Sequence, residues 1–163
     1  MAKLKKLAVA ALGLGLLVTG ACGNGGASPE AHSSHAPNGD LREVTSSADR
    51  LPSFLDGQPE EVGLAYRIAG TIDDTLQWIP CYCGCGESAG HESNLNCFIH
   101  EVREDGTVEW DDHGTRCGVC VQIAIESARL KQQGKPDRDI REYIDSNYQT
   151  GYAKPTDTPF PAA

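Results

Sequence analysis

Apolar residues recur at helical spacing in several stretches of the chain, and the longer stretches carry start and stop signals. The first stripe follows Pro59, which suits the first helical position, and ends at Gly70. The longest predicted helix covers residues 115–133, with Gly134 as its stop, and a further helix starts at Pro136. The predicted buried faces of the first and last of these helices are Val62, Ala65, Tyr66 and Ala69, and Ile140, Tyr143, Ile144 and Tyr148.

A shorter stripe and a hairpin complete the predicted elements. Apolar residues from Ile72 to Ile79 form a short helical stripe that ends at Pro80. Apolar and polar residues alternate in CFIHEVREDGTVEW on both sides of Asp105-Gly106, a dipeptide that favours a tight turn between antiparallel strands. The pattern predicts a mainly α fold, a small single domain of about four helices with one β-hairpin and a cysteine-rich loop.

The folded domain is predicted to span residues 41–152, because both flanks have the composition of unfolded segments. Residues 22–40 are rich in Gly, Ser, Pro and Ala and are predicted to be a flexible tether. Residues 153–163 carry three prolines and are predicted to be an extended tail. Such a small domain builds only a thin core, so cross-links or a metal would help to stabilise it.

The first residues have the organisation of an export signal. Three lysines precede an apolar run of 12 residues, 7–18, which is shorter than the ~20 residues of a membrane-spanning helix. The sequence TGAC, ending at Cys22, resembles a bacterial lipobox, in which the signal is cut before the cysteine and the cysteine is lipidated. We therefore predict a signal peptide over residues 1–21 and a lipid anchor on Cys22 at the extracytoplasmic face of the cell membrane. The alternative is an ordinary secretory signal cut near Ala21.

The mature chain is predicted to be strongly acidic. Loss of the three signal lysines lowers Lys+Arg from 14 to 11 against 23 Asp+Glu, so the net charge changes from -9 to -12. This charge argues against binding of nucleic acid or of an anionic membrane surface, and it favours cations or basic proteins as partners. The predicted membrane contact is therefore the lipid on Cys22.

Six cysteines besides Cys22 define the candidate site. Three of them, Cys81, Cys83 and Cys85, alternate along IPCYCGCG, and in extended backbone they would point to the same side. Cysteines two positions apart form only strained disulfides, so in a fully disulfide-bonded chain these three would mostly pair with the others. The others are Cys97, Cys117 and Cys120.

Two histidines accompany the cysteines as candidate ligands. If the long helix begins near Asp112, His113 lies on the same helical face as Cys117 and Cys120. Thiols in a first helical turn lose their protons more readily, which favours metal binding and nucleophilic chemistry alike. His91 lies in the loop GESAGHESNLN, where it is either a ligand or a hydrogen-bonding loop residue.

The spacing leaves three chemistries open. An even number of cysteines in an exported chain is typical of structural disulfides. Clustered thiolates with imidazole are typical of copper or zinc sites, and the short C-x-C spacing suits Cu(I). A single accessible pair, Cys117 and Cys120, would serve a redox reaction. The sequence has neither a phosphate-binding loop nor a metalloprotease motif.

Three segments resemble a known family. PCYCGCGESAGHESNLNCFI, WDDHGTRCGVC and GKPDRDIREYIDSNYQTGYAKPTDTPFP look like the bacterial PCYCGC-motif lipoprotein family over about residues 41–161. The resemblance implies an exported, lipid-anchored bacterial protein whose motif includes the six cysteines, His91 and His113. It implies no particular reaction.

A weaker similarity concerns the helix that C-x2-C opens and the following IREYIDSNY. This pair is similar to the helical-hairpin thiol oxidoreductases of cytochrome c maturation, which implies a thiol-handling role for Cys117 and Cys120. The chain departs from that pattern by carrying four further cysteines.

These observations predict a lipid-anchored extracytoplasmic protein that binds a transition metal, copper first and zinc second, for metal capture or delivery. A metalloprotein is the candidate partner. The rival hypothesis is a thiol–disulfide oxidoreductase using Cys117 and Cys120, which are the catalytic residues only in that case, and the third is a disulfide-stapled interaction module. The predicted metal ligands are Cys81, Cys83, Cys85, Cys97, Cys117, Cys120, His113 and His91.

Overall fold

The computed structural model describes residues 32–162. The strands are β1 Ser33–His35, β2 Leu41–Thr45, β3 Ile99–Val102 and β4 Val108–Asp111. The α-helices are α1 Glu60–Ala69, α2 Asp73–Leu76, α3 Gly86–Ala89, α4 Gly118–Gln132 and α5 Asp137–Tyr148. Short 3-10 turns cover Ser53–Leu55, Leu95–Cys97 and Asp112–Arg116.

The described strands form one antiparallel sheet in the order β1-β2-β4-β3. The fold is therefore mixed α/β with a four-stranded sheet, and the prediction of a mainly α domain with one hairpin is wrong. The hairpin over Asp105-Gly106 is present as β3 and β4. The missed half of the sheet, β1 and β2, lies on the other side of β4.

Strand β2 was missed because its inward face is polar. Glu43 and Thr45 are only 4% and 5% exposed, so the strand LREVT lacks the buried apolar alternation that marks a strand. Hydrogen bonds compensate this burial, since Thr45 Oγ1 accepts from Trp110 Nε1 at 2.8 Å and Glu43 accepts from the backbone and hydroxyl of Ser53 at 2.7 Å. Thr45 and Trp110 are 65 residues apart, so no local signal marks the contact.

Strand β1 lies inside the segment predicted to be a tether. Residues 33–35 pair with residues 41–43, and Asp40 is 5% exposed, so the fold begins before the predicted boundary at residue 41. All three residues of the strand SSH are exposed and none is apolar, which explains its tether-like composition. The predicted signal peptide, residues 1–21, and Cys22 lie outside the described residues. Within residues 32–162, no helix has the length and apolar character needed to cross a membrane.

The core lies between the sheet and the helices. Tyr66 of α1 is fully buried, packs edge-on against Phe98 with ring centroids 5.1 Å apart, and donates its hydroxyl to the carbonyl of Asp111 at 2.7 Å. The predicted stripes of α1 and α5 are confirmed at most positions, whereas Tyr143 is 37% exposed. The buried stripe residues are Ala65, Tyr66, Ala69, Ile140, Ile144 and Tyr148.

The proline-rich tail packs against the domain without forming a helix or strand. Arg141 Nη1 donates to the carbonyls of Trp78, Thr158 and Pro159 at 2.9, 3.1 and 3.1 Å. Thr158 is buried and donates its hydroxyl to the carbonyl of Glu92 at 2.5 Å. These bonds hold the tail beside the cysteine-rich loop.

Candidate metal centre

The cysteine-rich loop follows α2 and is held in place by the tail. The sulfurs of Cys81 and Cys83 lie 2.9 Å apart, so the side chains of the first two cysteines in the run turn toward each other. The backbone N–H of Cys81 donates to Thr156 Oγ1 at 2.9 Å, and the N–H of Thr156 donates to the carbonyl of Cys81 at 3.1 Å. Both backbone hydrogen-bonding groups of Cys81, its N–H and its carbonyl, are therefore held by Thr156.

Cys85 does not have the extended backbone conformation that the sequence pattern predicted. Gly84 adopts a φ of +82°, and Cys85 takes a right-handed helical conformation at the start of α3. The predicted alternation of three sulfurs is therefore wrong beyond Cys83. Because the chain turns at Gly84, the side chain of Cys85 does not follow the direction of those of Cys81 and Cys83.

The remaining sulfurs gather around Cys120 in the first turn of α4. The Cys120 sulfur lies 3.0, 3.1 and 3.2 Å from those of Cys81, Cys97 and Cys117. Together with Cys83, these residues form what we call the sulfur cluster. Cys81, Cys97 and Cys120 are at most 1% exposed, whereas Cys83 and Cys117 are half-buried.

No disulfide bond joins the six cysteines within residues 32–162. Bonded sulfurs lie about 2.05 Å apart, and the shortest sulfur–sulfur distance here is 2.9 Å. Cys120 touches three sulfurs at nearly equal distances, although a disulfide joins only two. The arrangement brings together enough thiols to hold a metal ion, with Cys81, Cys83 and Cys120 as one candidate set of ligands.

His113 lies near the cysteines, but the local structure that places it there differs from the predicted helix. The predicted helical face joining it to the C-x2-C pair is wrong, because α4 begins only at Gly118. His113 lies in the preceding 3-10 turn, which packs closely on Phe98 at Gly114. A Cβ at Gly114 would come within 2.6 Å of the Phe98 ring, so this turn requires a glycine there.

Both candidate histidines lie against the cysteines. His91 is 8% exposed, and its Nδ1 is 3.5 Å from the sulfur of Cys97. A ring nitrogen of His113 and the sulfurs of Cys83 and Cys85 all lie within 4.8 Å of one another. The two imidazole centroids are 4.6 Å apart. The structure therefore gathers every predicted ligand in one region, with Cys85 and His113 to one side of the sulfur cluster.

Asp40 is a site residue that the sequence analysis missed. Its carboxylate oxygens lie 3.2 and 3.4 Å from Nδ1 of His113, and they also accept from Arg116 at 2.5 Å and from Asn38 at 2.7 Å. A carboxylate on the outer nitrogen of a metal-binding histidine fixes its ring orientation and tautomer. Nothing in the sequence marks this role, since Asp40 lies in the predicted tether.

The pattern of cysteines and histidines matches a family model. A model described as a protein of unknown function with PCYCGC motif covers residues 10–161. The chain belongs to the PCYCGC family. No curated protein and no solved structure matches the chain, and the similarity to helical-hairpin thiol oxidoreductases has no support.

Tyr82 and Gly84 of the PCYCGC motif determine the position and the turn of the loop. Tyr82 packs inward and donates its hydroxyl to Asp145 Oδ1 at 2.7 Å, which anchors the loop to α5. Gly84 has the positive φ that only glycine adopts readily, and a Cβ there would lie 3.1 Å from Cβ of Ala153. The PCYCGC motif therefore places two sulfurs in the cluster and the third, on Cys85, beside it and within 4.8 Å of the Cys83 sulfur.

Burial and hydrogen bonds set the protonation of the PCYCGC site. Hydrogen bonds from Cys117 and Cys120 hold the pKa of Cys83 well below its usual range. Burial lowers the pKa of His91 to about 4, so this ring is neutral at pH 7 and keeps a lone pair for a metal. The hydrogen bond with Cys83 raises the pKa of His113. An arriving cation would meet a thiolate at Cys83 and a neutral imidazole at His91.

A cleft of about 500 Å³ opens beside the PCYCGC loop, with His91 in its wall. Its rim carries the carboxylates of Glu87, Glu92 and Asp157 and the ammonium of Lys154. The excess of negative charge in this cleft favours cations over anions.

Proposed function

We propose that the PCYCGC domain binds Cu(I) through its sulfur cluster and serves metal capture or delivery. The observation that carries this proposal is the convergence of three sulfurs on Cys120 at 3.0–3.2 Å. Thiolates are soft ligands that favour Cu(I), and imidazole also suits copper. The buried sulfurs are shielded from solvent, which protects bound Cu(I) from oxidation.

Copper suits the arrangement better than zinc. A structural zinc ion takes four ligands in a tetrahedron and is typically held by pairs of C-x2-C spacing. Here Cys117 and Cys120 have that spacing, but Cys81 and Cys83 are separated by a single residue. Cu(I) accepts lower coordination, and thiolate sulfurs can be shared between neighbouring Cu(I) ions. Zinc is the second metal that we propose.

The proposal places this domain outside the cytoplasm, anchored to the cell membrane through a lipid on Cys22. The lipobox-like TGAC sequence after the basic and apolar signal segment supports this location. A lipid anchor would keep the domain close to membrane metalloenzymes, and a metalloprotein is the partner that we propose for delivery.

The rival role, thiol–disulfide exchange at Cys117 and Cys120, requires an accessible pair that acts by itself. Cys117 is half-buried, but Cys120 is fully buried and also contacts Cys81 and Cys97. This geometry favours shared coordination over the chemistry of one dithiol.

The test is to isolate the full-length chain from bacterial membranes without chelators and to count metals and thiols in the same sample. We expect about one or more copper ions per chain, with most of the six domain thiols free after denaturation. No metal together with no free thiol would identify the cysteines as structural disulfides. A single oxidised pair at Cys117 and Cys120 without metal would favour the oxidoreductase.

Two variants sharpen this test. Cys120→Ser removes the central sulfur and should abolish most Cu(I) binding, whereas His100→Ala, at an exposed position on β3, should bind as the wild type does. Equal copper content in both variants would contradict the proposal. The mature wild-type protein should begin at Cys22 and carry the mass of a lipid on that residue, which mass spectrometry measures, and an unmodified Cys22 would rule out anchoring through this residue.

A further inference from the structure

The ligands divide into two groups according to their access to solvent. Cys81, Cys97 and Cys120 are at most 1% exposed. Cys85 and His113 lie to one side of them and keep some access to solvent, with 14% of the His113 side chain exposed. No sulfur contact joins Cys85 to the buried cysteines, although its ligand atom lies within 4.8 Å of those of Cys83 and His113.

Cys83 belongs to both groups. Its sulfur is 2.9 Å from that of Cys81 in the sulfur cluster, and it also lies within 4.8 Å of a ring nitrogen of His113. A thiolate sulfur has lone pairs for two Cu(I) ions at once. Cys83 is therefore placed to bridge a buried ion and an outer one.

The outer group is a built site rather than a chance approach of side chains. The His113 ring is held by Asp40 at 3.2 Å, and Asp40 is 5% exposed and fixed by Arg116. The backbone of His113 is fixed as well, since its N–H donates to Asp111 Oδ1 at 3.0 Å. This is the carboxylate–histidine arrangement that orients metal ligands.

We propose that Cys83, Cys85 and His113 form a second, solvent-facing Cu(I) site through which the metal enters and leaves the sulfur cluster. This inference rests on the proposed function of the cluster and adds to it the route of exchange. Cys117 is also half-buried, but its sulfur lies 3.2 Å from that of Cys120, inside the cluster.

Transfer between the two sites is a ligand exchange without electron transfer. The copper stays Cu(I) and is supplied as a Cu(I) complex of a thiol or thioether donor, whose bonds to copper break as Cys83, Cys85 and His113 bind it. Its bonds to Cys85 and His113 break as bonds to Cys81 and a second cluster sulfur form, and its bond to Cys83 is kept. Each thiol that becomes a ligand loses its proton to solvent, and Cys85 takes a proton back when its bond breaks.

The experiment measures loading and release of Cu(I) by the full-length protein in detergent, with a chromogenic Cu(I) chelator as acceptor in a stopped-flow instrument. We expect Cys85→Ser and His113→Asn to slow both steps about tenfold or more while the buried cluster still binds Cu(I). The matched control is His100→Asn, at an exposed histidine on β3, which should exchange at the wild-type rate. Circular dichroism confirms that each variant is folded.

The outcomes separate this inference from the function on which it rests. If wild type binds Cu(I) and Cys120→Ser does not, but both outer-site variants exchange as fast as His100→Asn, the outer site is refuted and the cluster stands. If wild type binds no Cu(I), the proposed function fails as well. If Cys85→Ser does not fold, the rate of Cu(I) exchange in His113→Asn, compared with that in His100→Asn, decides whether the outer site exists.

Discussion

The Nδ1 atom of His113 lies 3.2 Å from a carboxylate oxygen of Asp40, although 73 residues separate the two in the chain. The contact joins the start of the described fold to the turn before α4. Asp40 is only 5% exposed, so its contact with His113 is not a surface ion pair. A surface ion pair would contribute little to the stability of the fold. We interpret Asp40 as the group that orients His113.

Replacing Asp40 with asparagine should weaken Cu(I) binding at the outer site by about tenfold to a hundredfold, because His113 loses the carboxylate that orients it. Competition with a Cu(I) chelator of known affinity measures the change. Asp139→Asn, at an exposed position on α5, is the control. Equal affinities in the two variants would show that Asp40 only stabilises the fold.

Replacing Gly84 with alanine should destabilise the domain by about 1–2 kcal/mol, because an alanine with positive φ is strained. The added Cβ would also lie 3.1 Å from that of Ala153. Urea denaturation followed by circular dichroism measures the loss. Gly118→Ala is the matched control, since no atom lies within 4 Å of its added Cβ, and this variant should be as stable as wild type. A wild-type midpoint for Gly84→Ala would contradict the conformation described for the motif.

Metal-free, reduced protein should lose stability on acidification because His91 is buried in its neutral form. Its pKa is lowered from 6.5 to about 4 by burial and by the charge of His113. Between these values the unfolded chain binds a proton that the folded chain does not, so the free energy of unfolding falls as the pH falls. The maximum loss is about 3 kcal/mol.

Urea denaturation at pH 7 and at pH 4.5 measures this effect. His91→Asn lacks the titrating ring, so its stability should change less between the two pH values. If wild type and His91→Asn show the same pH dependence, His91 titrates normally and its buried, neutral state is disproved.

Replacing Arg141 with lysine should loosen the C-terminal tail. The guanidinium donates to three carbonyls, two of them in the tail, and an ammonium on a flexible stem cannot reproduce that planar geometry. Hydrogen–deuterium exchange at the N–H of Thr156, which donates to Cys81, should become about tenfold faster or more. Arg129→Lys, whose guanidinium pairs with Glu126 on α4, should leave that exchange rate unchanged. Slow exchange in Arg141→Lys would show that the tail is held by other contacts.

The helices could be predicted because their signals are local. Ala65, Tyr66 and Ala69 recur every three or four residues, and all three are fully buried in α1. The end of α4 was also marked, since Gly134 has a φ of +78°. Each of these signals depends on neighbours within one or two helical turns.

The first half of the sheet could not be predicted because its stability comes from distant partners. β1 has no apolar side chain, and β2 buries Glu43 and Thr45, whose burial makes sense only beside Ser53 and Trp110. Composition correctly indicates that residues 33–35 bury no core. It does not reveal that their backbone pairs with residues 41–43.

The members of the candidate site could be named from residue type and spacing, but their arrangement could not. The turn at Gly84 and the delayed start of α4 at Gly118 reassign Cys85 and His113 to an outer group. The glycines were visible in the sequence, yet only the folded backbone shows the direction in which each turns the chain. No feature of the sequence around Asp40 indicated that it belongs to the candidate site.

The sulfur cluster draws its members from three separate parts of the chain, and Cys81 and Cys120 are 39 residues apart. A metal ion held there closes these long loops, which removes conformational entropy from the unfolded chain and couples binding to folding. A molecule without metal would open locally at this end of the domain more often and be degraded sooner. If the proposed metal binding holds, the lifetime of the protein in the cell would rise and fall with the supply of that metal.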